Sequence, residues 1–469
     1  MSNASVSSPA LGSPSLTVRP AEARTRMLLE GPILPTLLRL SAPNVLNLVA
    51  IAGLITFDGL FVGRLGPDAL AGVSLVFPFV MFVQHVAASG MGGAVSSAVA
   101  RAIGAGARAR AEALAAHAFM LAIGMAAVFS VLMLTLGPLL YRWMGGRGEV
   151  LDAALSYSNV AFGGAVSVCM LNVLANVVRG TGNMGFPAAV LVGSVVLHVI
   201  ISPALIFGWG FLPALGAAGA GWGLVVSFGA GSAVLIAYLR SSDSFVRLVF
   251  SGIRYKFALF QEFFKVGVPG LVNVAINNLT VIILTGVAGH LGREAAIGYA
   301  MGARLEYVML PLAFGFGTAM VAMVGTNWGA KQYQRARRIA WIGTATVALA
   351  CAALGIFFAA FPGLWMGLYT TDEEVIRVGT LYLTTMAPVY GIYGLGVALY
   401  FAMQGVGNVV PAVAANGLRL FAGAGGALAA VYWLDAGLHG VFAAIAVAFV
   451  AYGVLTAFGF VRKANPQSK

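Results

Sequence analysis

The chain has 469 residues, 60% of them hydrophobic and only 9% charged, with a net charge of +12 and a mean hydropathy of +0.92. Soluble domains average about 25% charged residues, so this composition excludes a soluble enzyme and describes a polytopic helical membrane protein. No zinc spacing, RNA-binding motif or basic stripe accompanies the charge, which excludes nucleic acid as a partner and leaves membrane topology as its reason.

Residues 1–30 are rich in Ser, Pro and Ala and lack the apolar core of a signal peptide, so they read as a disordered cytoplasmic tail. Twelve apolar runs follow, at about 34–63, 69–98, 114–140, 153–178, 187–208, 217–239, 260–290, 295–325, 337–361, 376–402, 410–434 and 437–462. They divide into a lobe at 31–240, a cytoplasmic linker at 241–259, a second lobe at 260–463 and a tail at 464–469. With both termini on one side, that side holds 20 of the 27 Lys and Arg residues. The opposite loops hold five, Arg64, Arg142, Arg147, Arg293 and Arg377. Such a bias places both termini in the cytoplasm. Cys169 and Cys351 fall inside predicted spans, where cysteine behaves as a small apolar residue, and no metal-ligand spacing accompanies them.

The first span carries a carboxylate, in Leu54-Ile-Thr-Phe-Asp58-Gly-Leu-Phe-Val-Gly63-Arg-Leu-Gly66. A helix crosses the hydrocarbon core in ~20 residues, so Asp58 lies within the membrane. An ionised group at that depth faces a cavity or a partner and by default marks an ion or substrate pathway. The plainer alternative is a satisfied carboxylate that joins two helices.

An internal repeat organises the rest. Leu40-Ser-Ala-Pro43-Asn-Val-Leu-Asn47 matches Val266-Gly-Val-Pro269-Gly-Leu-Val-Asn273, and Arg64-Leu-Gly66 to Gly72 matches His290-Leu-Gly292 to Gly298. Arg179-Gly-Thr-Gly-Asn183 matches Gln404-Gly-Val-Gly-Asn408 in nearly the same register. The expected fold is all-α, with twelve transmembrane helices in two parallel six-helix pseudo-repeats around a central cleft. Pro43 and Pro269 each remove a backbone hydrogen bond in the first span of their half, as a static kink or a moving hinge.

These features resemble the multidrug and toxic-compound extrusion (MATE) family. The resemblance covers about residues 34–462 and rests on Asp58-Gly-Leu-Phe-Val-Gly63-Arg-Leu-Gly66, the repeated Leu-Gly-x-x-Ala, Val324-Gly-Thr-Asn-Trp-Gly-Ala330 and Arg179-Gly-Thr-Gly-Asn183. It implies a two-lobed antiporter that expels organic compounds against a proton or sodium gradient, with Asp58 on the first-helix carboxylate used for ion coupling. The NorM-like branch carries carboxylates where this chain has Asn277 and about Tyr393, so the chain is closer to the DinF-like branch. It departs there too, having His198-Val-Ile-Ile-Ser202-Pro203 where a second carboxylate is common.

The polar residues of the first half fall at helical spacings. Asn47 and Asp58 share a face of span 1, Asn172 and Asn176 a face of span 4, and His198 and Ser202 a face of span 5. These six form the expected ion-coupling set, with Asp58 and His198 as the proton-handling pair. Interhelical hydrogen bonding is the plainer reading of each Asn. Sodium would want several oxygen ligands, so a proton is the expected coupling ion, with no cofactor or resident metal. The expected substrate contacts are Asp58, Glu306, Arg304, Phe61, Met81 and Tyr307, with Phe57, Phe77 and Phe79 as further aromatics of the cleft. Arg304 and Glu306, two apart in span 8, do not face each other, so Arg304 is open to another partner and Glu306 to the cleft. Arg419, His85 and Gln84 read as packing or lobe-interface residues. The whole is an efflux transporter of organic, cationic or amphipathic compounds, expected as a monomer in the lipid bilayer of a bacterial inner membrane. Sodium coupling and a lipid-linked precursor flippase are the alternatives. The flippase needs a basic cavity, and only Arg304 and Arg419 lie deep. An enzyme would need a paired catalytic set, and the deep carboxylates sit in different halves.

Overall fold

Pro, Gly and charged residues punctuate the apolar runs, and each run folds as a helix between them. A computed structural model describes residues 20–209, 213–250 and 256–463. The first half contains α1 (Pro20–Glu30), α2 (Ile33–Gly63), α3 (Pro67–His85), α4 (Met91–Gly104), α5 (Arg108–Trp143), α6 (Gly148–Gly163), α7 (Ala165–Gly180), α8 (Gly185–Phe207) and α9 (Ala217–Arg240). The second contains α10 (Phe257–His290), α11 (Arg293–Gly329), α12 (Tyr333–Ala360), α13 (Pro362–Met366), α14 (Glu373–Met386), α15 (Tyr390–Val406), α16 (Val410–Tyr432) and α17 (Gly437–Lys463).

All twelve expected spans are helical. Among the described residues ten are long and apolar enough to cross a membrane, and α6 with α7, bent by 47°, makes an eleventh. The twelfth, α16, is helical throughout, but Asn416, Arg419 and its glycines dilute its apolar character. α3 and α4 form one span through a π-helical turn at Val86–Gly90, and α14 and α15 form one through a 3-10 turn at Ala387–Val389.

The repeat is visible in backbone conformation. Gly66 and Gly292, at φ 120° and 129°, cap α3 and α11, and Gly182 and Gly407, at φ 80° and 89°, close the matching turns after α7 and α15. A side chain is strained at such angles, which is why the repeated motifs keep glycine there.

One expectation changes. Residues 20–30, read from composition as part of a disordered tail, form α1, while residues 1–19 lie outside the described residues. Leu28 is fully buried and its carbonyl accepts from Asn327 Nδ2 at 2.9 Å, so docking onto α11 supplies the apolar burial that the segment's own composition lacks.

Each lobe has its own apolar core, and the two cores trade helix starts. Leu37 and Leu40 of α2 pack in the C-terminal core, while Phe263 of α10 packs in the N-terminal core. Beyond Pro43 and Pro269, α2 packs on α8 and α10 on α16, each within its own lobe. Both helices run through their proline without a break, and the change of lobe is spread around it, since Val45 still meets Gly315 and Leu271 still packs on the N-terminal core.

Candidate functional site

The N-terminal lobe brings α2, α8 and α9 together around one charged pair. His198 Nε2 lies 2.6 Å from Asp58 Oδ1; the imidazole is 1% exposed and the carboxylate 26%. On the far side of the ring, Ser227 Oγ of α9 lies 3.4 Å from Nδ1 and 2.6 Å from the Gly223 carbonyl. Asp58 therefore has one wetted face and one face bonded into the lobe.

These contacts suit more than one proton count, because the donor and acceptor roles of the ring depend on its tautomer. The Ser227 hydroxyl has one hydrogen and gives it to the nearer acceptor, the Gly223 carbonyl. In that arrangement it can only accept from His198, through a hydrogen on Nδ1. The short contact between Nε2 and Asp58 needs one more. Either the carboxylic acid donates to the ring or the imidazolium donates to the carboxylate. The two descriptions share one proton, and the pair behaves as a unit. Once that proton leaves, a neutral ring meets the carboxylate through Nε2–H. Its bare Nδ1 then faces Ser227, whose hydroxyl must turn away from Gly223 to donate to it. In this scheme loss of one proton accompanies a bond change between α8 and α9.

The other polar residues of the expected ion site are spent elsewhere. Asn47 shares the face of Asp58, but eleven residues of helix put them about 16 Å apart. Asn172 Nδ2 donates to the Val168 carbonyl, and Asn176 Nδ2 to the carbonyls of Ala88 and Asn172, each at 2.9 Å. The π-helical turn places the Ala88 carbonyl where Asn176 meets it, and the neighbouring Ser89 carbonyl accepts from Gln404 Nε2 at 3.0 Å. Ser202 is fully buried against Gly223, and its hydroxyl has no partner. Of the six expected residues, hydrogen bonding joins only His198 to Asp58; Ser227 completes the site and was not anticipated. A serine four residues beyond the glycine-rich stretch Ala217-Ala-Gly-Ala-Gly-Trp-Gly gives no sequence signal beyond close helix packing.

The C-terminal lobe has a different polar centre, on α10, α15, α16 and α17. Arg419, 5% exposed, donates from Nε to Asn416 Oδ1 and from its terminal nitrogen to Asn277 Oδ1, both at 2.8 Å. Asn416 Nδ2 in turn donates to Asn273 Oδ1 at 2.7 Å and Asn277 Oδ1 at 3.1 Å. The rings of Tyr393, Phe449 and Tyr452 stand 5.5, 5.3 and 5.7 Å from the guanidinium carbon. Arg419 is therefore the centre of a lobe rather than an interface residue. The spacings Asn273–Asn277 and Asn416–Arg419 were the legible signal, since each puts two polar groups on one helix face.

Among the described residues no ion pair joins Arg304 to Glu306. Glu306, half-buried, accepts from the Tyr382 hydroxyl at 2.5 Å, and Arg304, exposed, stands 5.3 Å over the Tyr369 ring. Tyr307 is 60% exposed. Phe61 and Met81 pack against the N-terminal core, with Phe61 stacked 6.1 Å from Phe57, while Phe79 meets Tyr141 edge-on. His85 bonds within its own helix, from Nδ1 to the Met81 carbonyl.

The two lobes meet at the end that carries the basic loops. Ser97 donates to the Gln404 carbonyl, Arg101 reaches Ser97, and Gly104 leaves no room for a Cβ against the Thr326 carbonyl. Close backbone approach through small residues is a common way for membrane helices to seal. Asp58, five residues from the opposite end of α2, lies well away from this seam.

The MatE family profile matches residues 43–204 and 269–428, one block in each lobe. The FAD transporter of Shewanella oneidensis is 27% identical over 379 residues, which span 80% of this chain and 82% of that protein. The probable multidrug resistance protein NorM of Thermotoga maritima is 25% identical over 355 residues, 76% of each chain. A MATE protein crystallised in the bent conformation superposes with a TM-score of 0.87 at 23% identity, covering 94% of this chain and 97% of that one. At that identity the likeness speaks for the fold.

Proposed function

The chain belongs to the MatE family of multidrug efflux transporters and is a multi-pass membrane protein, not an enzyme; on that premise we propose that it exchanges an organic substrate for the proton held between Asp58 and His198. The 2.6 Å contact carries this reading, because it joins a carboxylate to an imidazole, a pair that can hold one proton more or less without parting. Sodium is less well served. It takes several oxygen ligands, whereas the hydrogen-bonded neighbour of Asp58 is a ring nitrogen.

The excess of Lys and Arg in the loops at the seam supports a cytoplasmic location for that end, and we propose a bacterial inner membrane for the whole. The described conformation is then closed toward the cytoplasm, with Asp58 on the outward side, where an incoming proton displaces a cationic or amphipathic substrate from the carboxylate. The relative named as an FAD transporter favours a second reading, in which the cargo is anionic and the proton drives lobe closure without competing for its site. Everted vesicles under an imposed pH gradient, free of sodium, test the coupling with a fluorescent lipophilic cation. Substrate movement that follows the pH gradient and is lost in Asp58→Asn supports proton exchange; movement that follows only a sodium gradient rejects it. Competition by FAD, without competition by the cation, selects the second cargo.

A further inference from the structure

The C-terminal centre has the chemistry of a cation site. Amide oxygens of Asn277 and Asn416 and three ring faces converge on one position, and amide oxygens and ring faces are both ligands for positive charge. The position is filled by the chain's own guanidinium. We propose that Arg419 is a tethered cation, which occupies the C-terminal lobe's cation cage permanently and so prevents that lobe from taking a small cation from solution.

Three observations carry this. Among the described residues no carboxylate lies within ion-pair distance of Arg419, so the charge is met by dipoles and rings, as a free organic cation would be. Asn273 belongs to the same arrangement, accepting from Asn416 and so orienting the Asn416 oxygen toward the guanidinium. The fold also repeats the location. Arg419 on α16 sits one turn before Gly423, the residue that matches His198 in the repeat, and Asn273 matches Asn47 of α2. A guanidinium stays protonated throughout the physiological range, so this charge cannot leave as the Asp58 proton can. A buried charge left without partners is costly, which explains why the Asn277 and Asn416 oxygens point at the guanidinium.

The inference does not depend on Asp58 carrying the proton, and its readout is stability rather than transport. The full-length protein, purified in detergent, is melted with guanidinium, sodium or tetramethylammonium chloride at millimolar concentration and constant ionic strength. Wild type is expected to respond equally to all three. Arg419→Ala is expected to melt lower and to recover with guanidinium, by on the order of 2 °C or more, but not with tetramethylammonium. An Arg419→Ala protein that gains nothing from guanidinium or sodium overturns the proposal. So does a wild type whose melting temperature rises with phosphate, since Arg419 would then be an anion contact. Should the alanine variant not fold, Asn277→Asp decides. A carboxylate beside a resident cation is expected to raise the melting temperature without sodium dependence. A lower melting temperature, or new dependence on sodium, contradicts it.

Discussion

The two lobes descend from one six-helix pattern, yet their polar centres hold positive charge in opposite ways. In the N-terminal lobe α2, α8 and α9 surround a carboxylate and an imidazole 2.6 Å apart, the pair proposed to exchange the proton. In the C-terminal lobe the matching helices, α10, α16 and α17, surround a guanidinium that is bonded to amides and caged by rings. The first centre is partly wetted at Asp58; the second is almost closed to solvent. The difference is between a charge that comes and goes and a charge that stays. A transporter needs only one of its lobes to change charge for the balance between them to shift. A permanent charge in the other lobe provides a fixed reference against which that change acts.

Substitutions break or sharpen this contrast. His198→Gln is expected to have the largest effect on transport. It leaves Asp58 with a neutral amide that carries no proton, so efflux under a pH gradient should fall on the order of 100-fold, with the melting temperature nearly unchanged. Vesicle efflux beside a melting curve checks both halves. Asn277→Ala should do the reverse. It removes a hydrogen bond to a buried cation and should destabilise the protein by about 2 kcal/mol while pH-driven exchange keeps its proton stoichiometry. Ser227→Ala is smaller, about 1 kcal/mol, because it removes the group that alternates between Gly223 and His198. Its signature is a few-fold loss of efflux whose pH dependence is displaced. Ser202→Ala should be smallest, within about 0.5 kcal/mol and without effect on efflux, because the Ser202 hydroxyl has no partner to lose. If Ser202→Ala matches Ser227→Ala in efflux, the assignment of the third helix in the site is wrong.

The sequence exposed most of the fold because membrane spans are written in composition and the repeat in Gly and Pro positions that backbone angles require. It also exposed Asp58 and His198, since a charge in an apolar run stands out. What it hid has physical causes. Asn47 groups with Asp58 because the two share a face of the first span, although the rise of the helix alone separates them by about 16 Å. Asn172 and Asn176 are lone polar groups whose partners are backbone carbonyls, one of them on a π-helical turn that hydropathy does not reveal. Ser227 sits in a stretch where small residues are expected for packing alone. Arg419 read only as a packing or lobe-interface residue because its partners lie on three other helices, and only tertiary structure brings Asn277, Tyr393, Phe449 and Tyr452 to it.

The most direct test counts protons. Purified transporter in weakly buffered solution is mixed with a saturating organic cation, and the protons released are followed with a pH indicator for wild type, Asp58→Asn and Arg419→Lys. One proton per molecule from wild type and from Arg419→Lys, with none from Asp58→Asn, is the result expected when only the N-terminal centre carries a removable charge. Release that survives in Asp58→Asn would contradict that claim and move the exchangeable proton to another group.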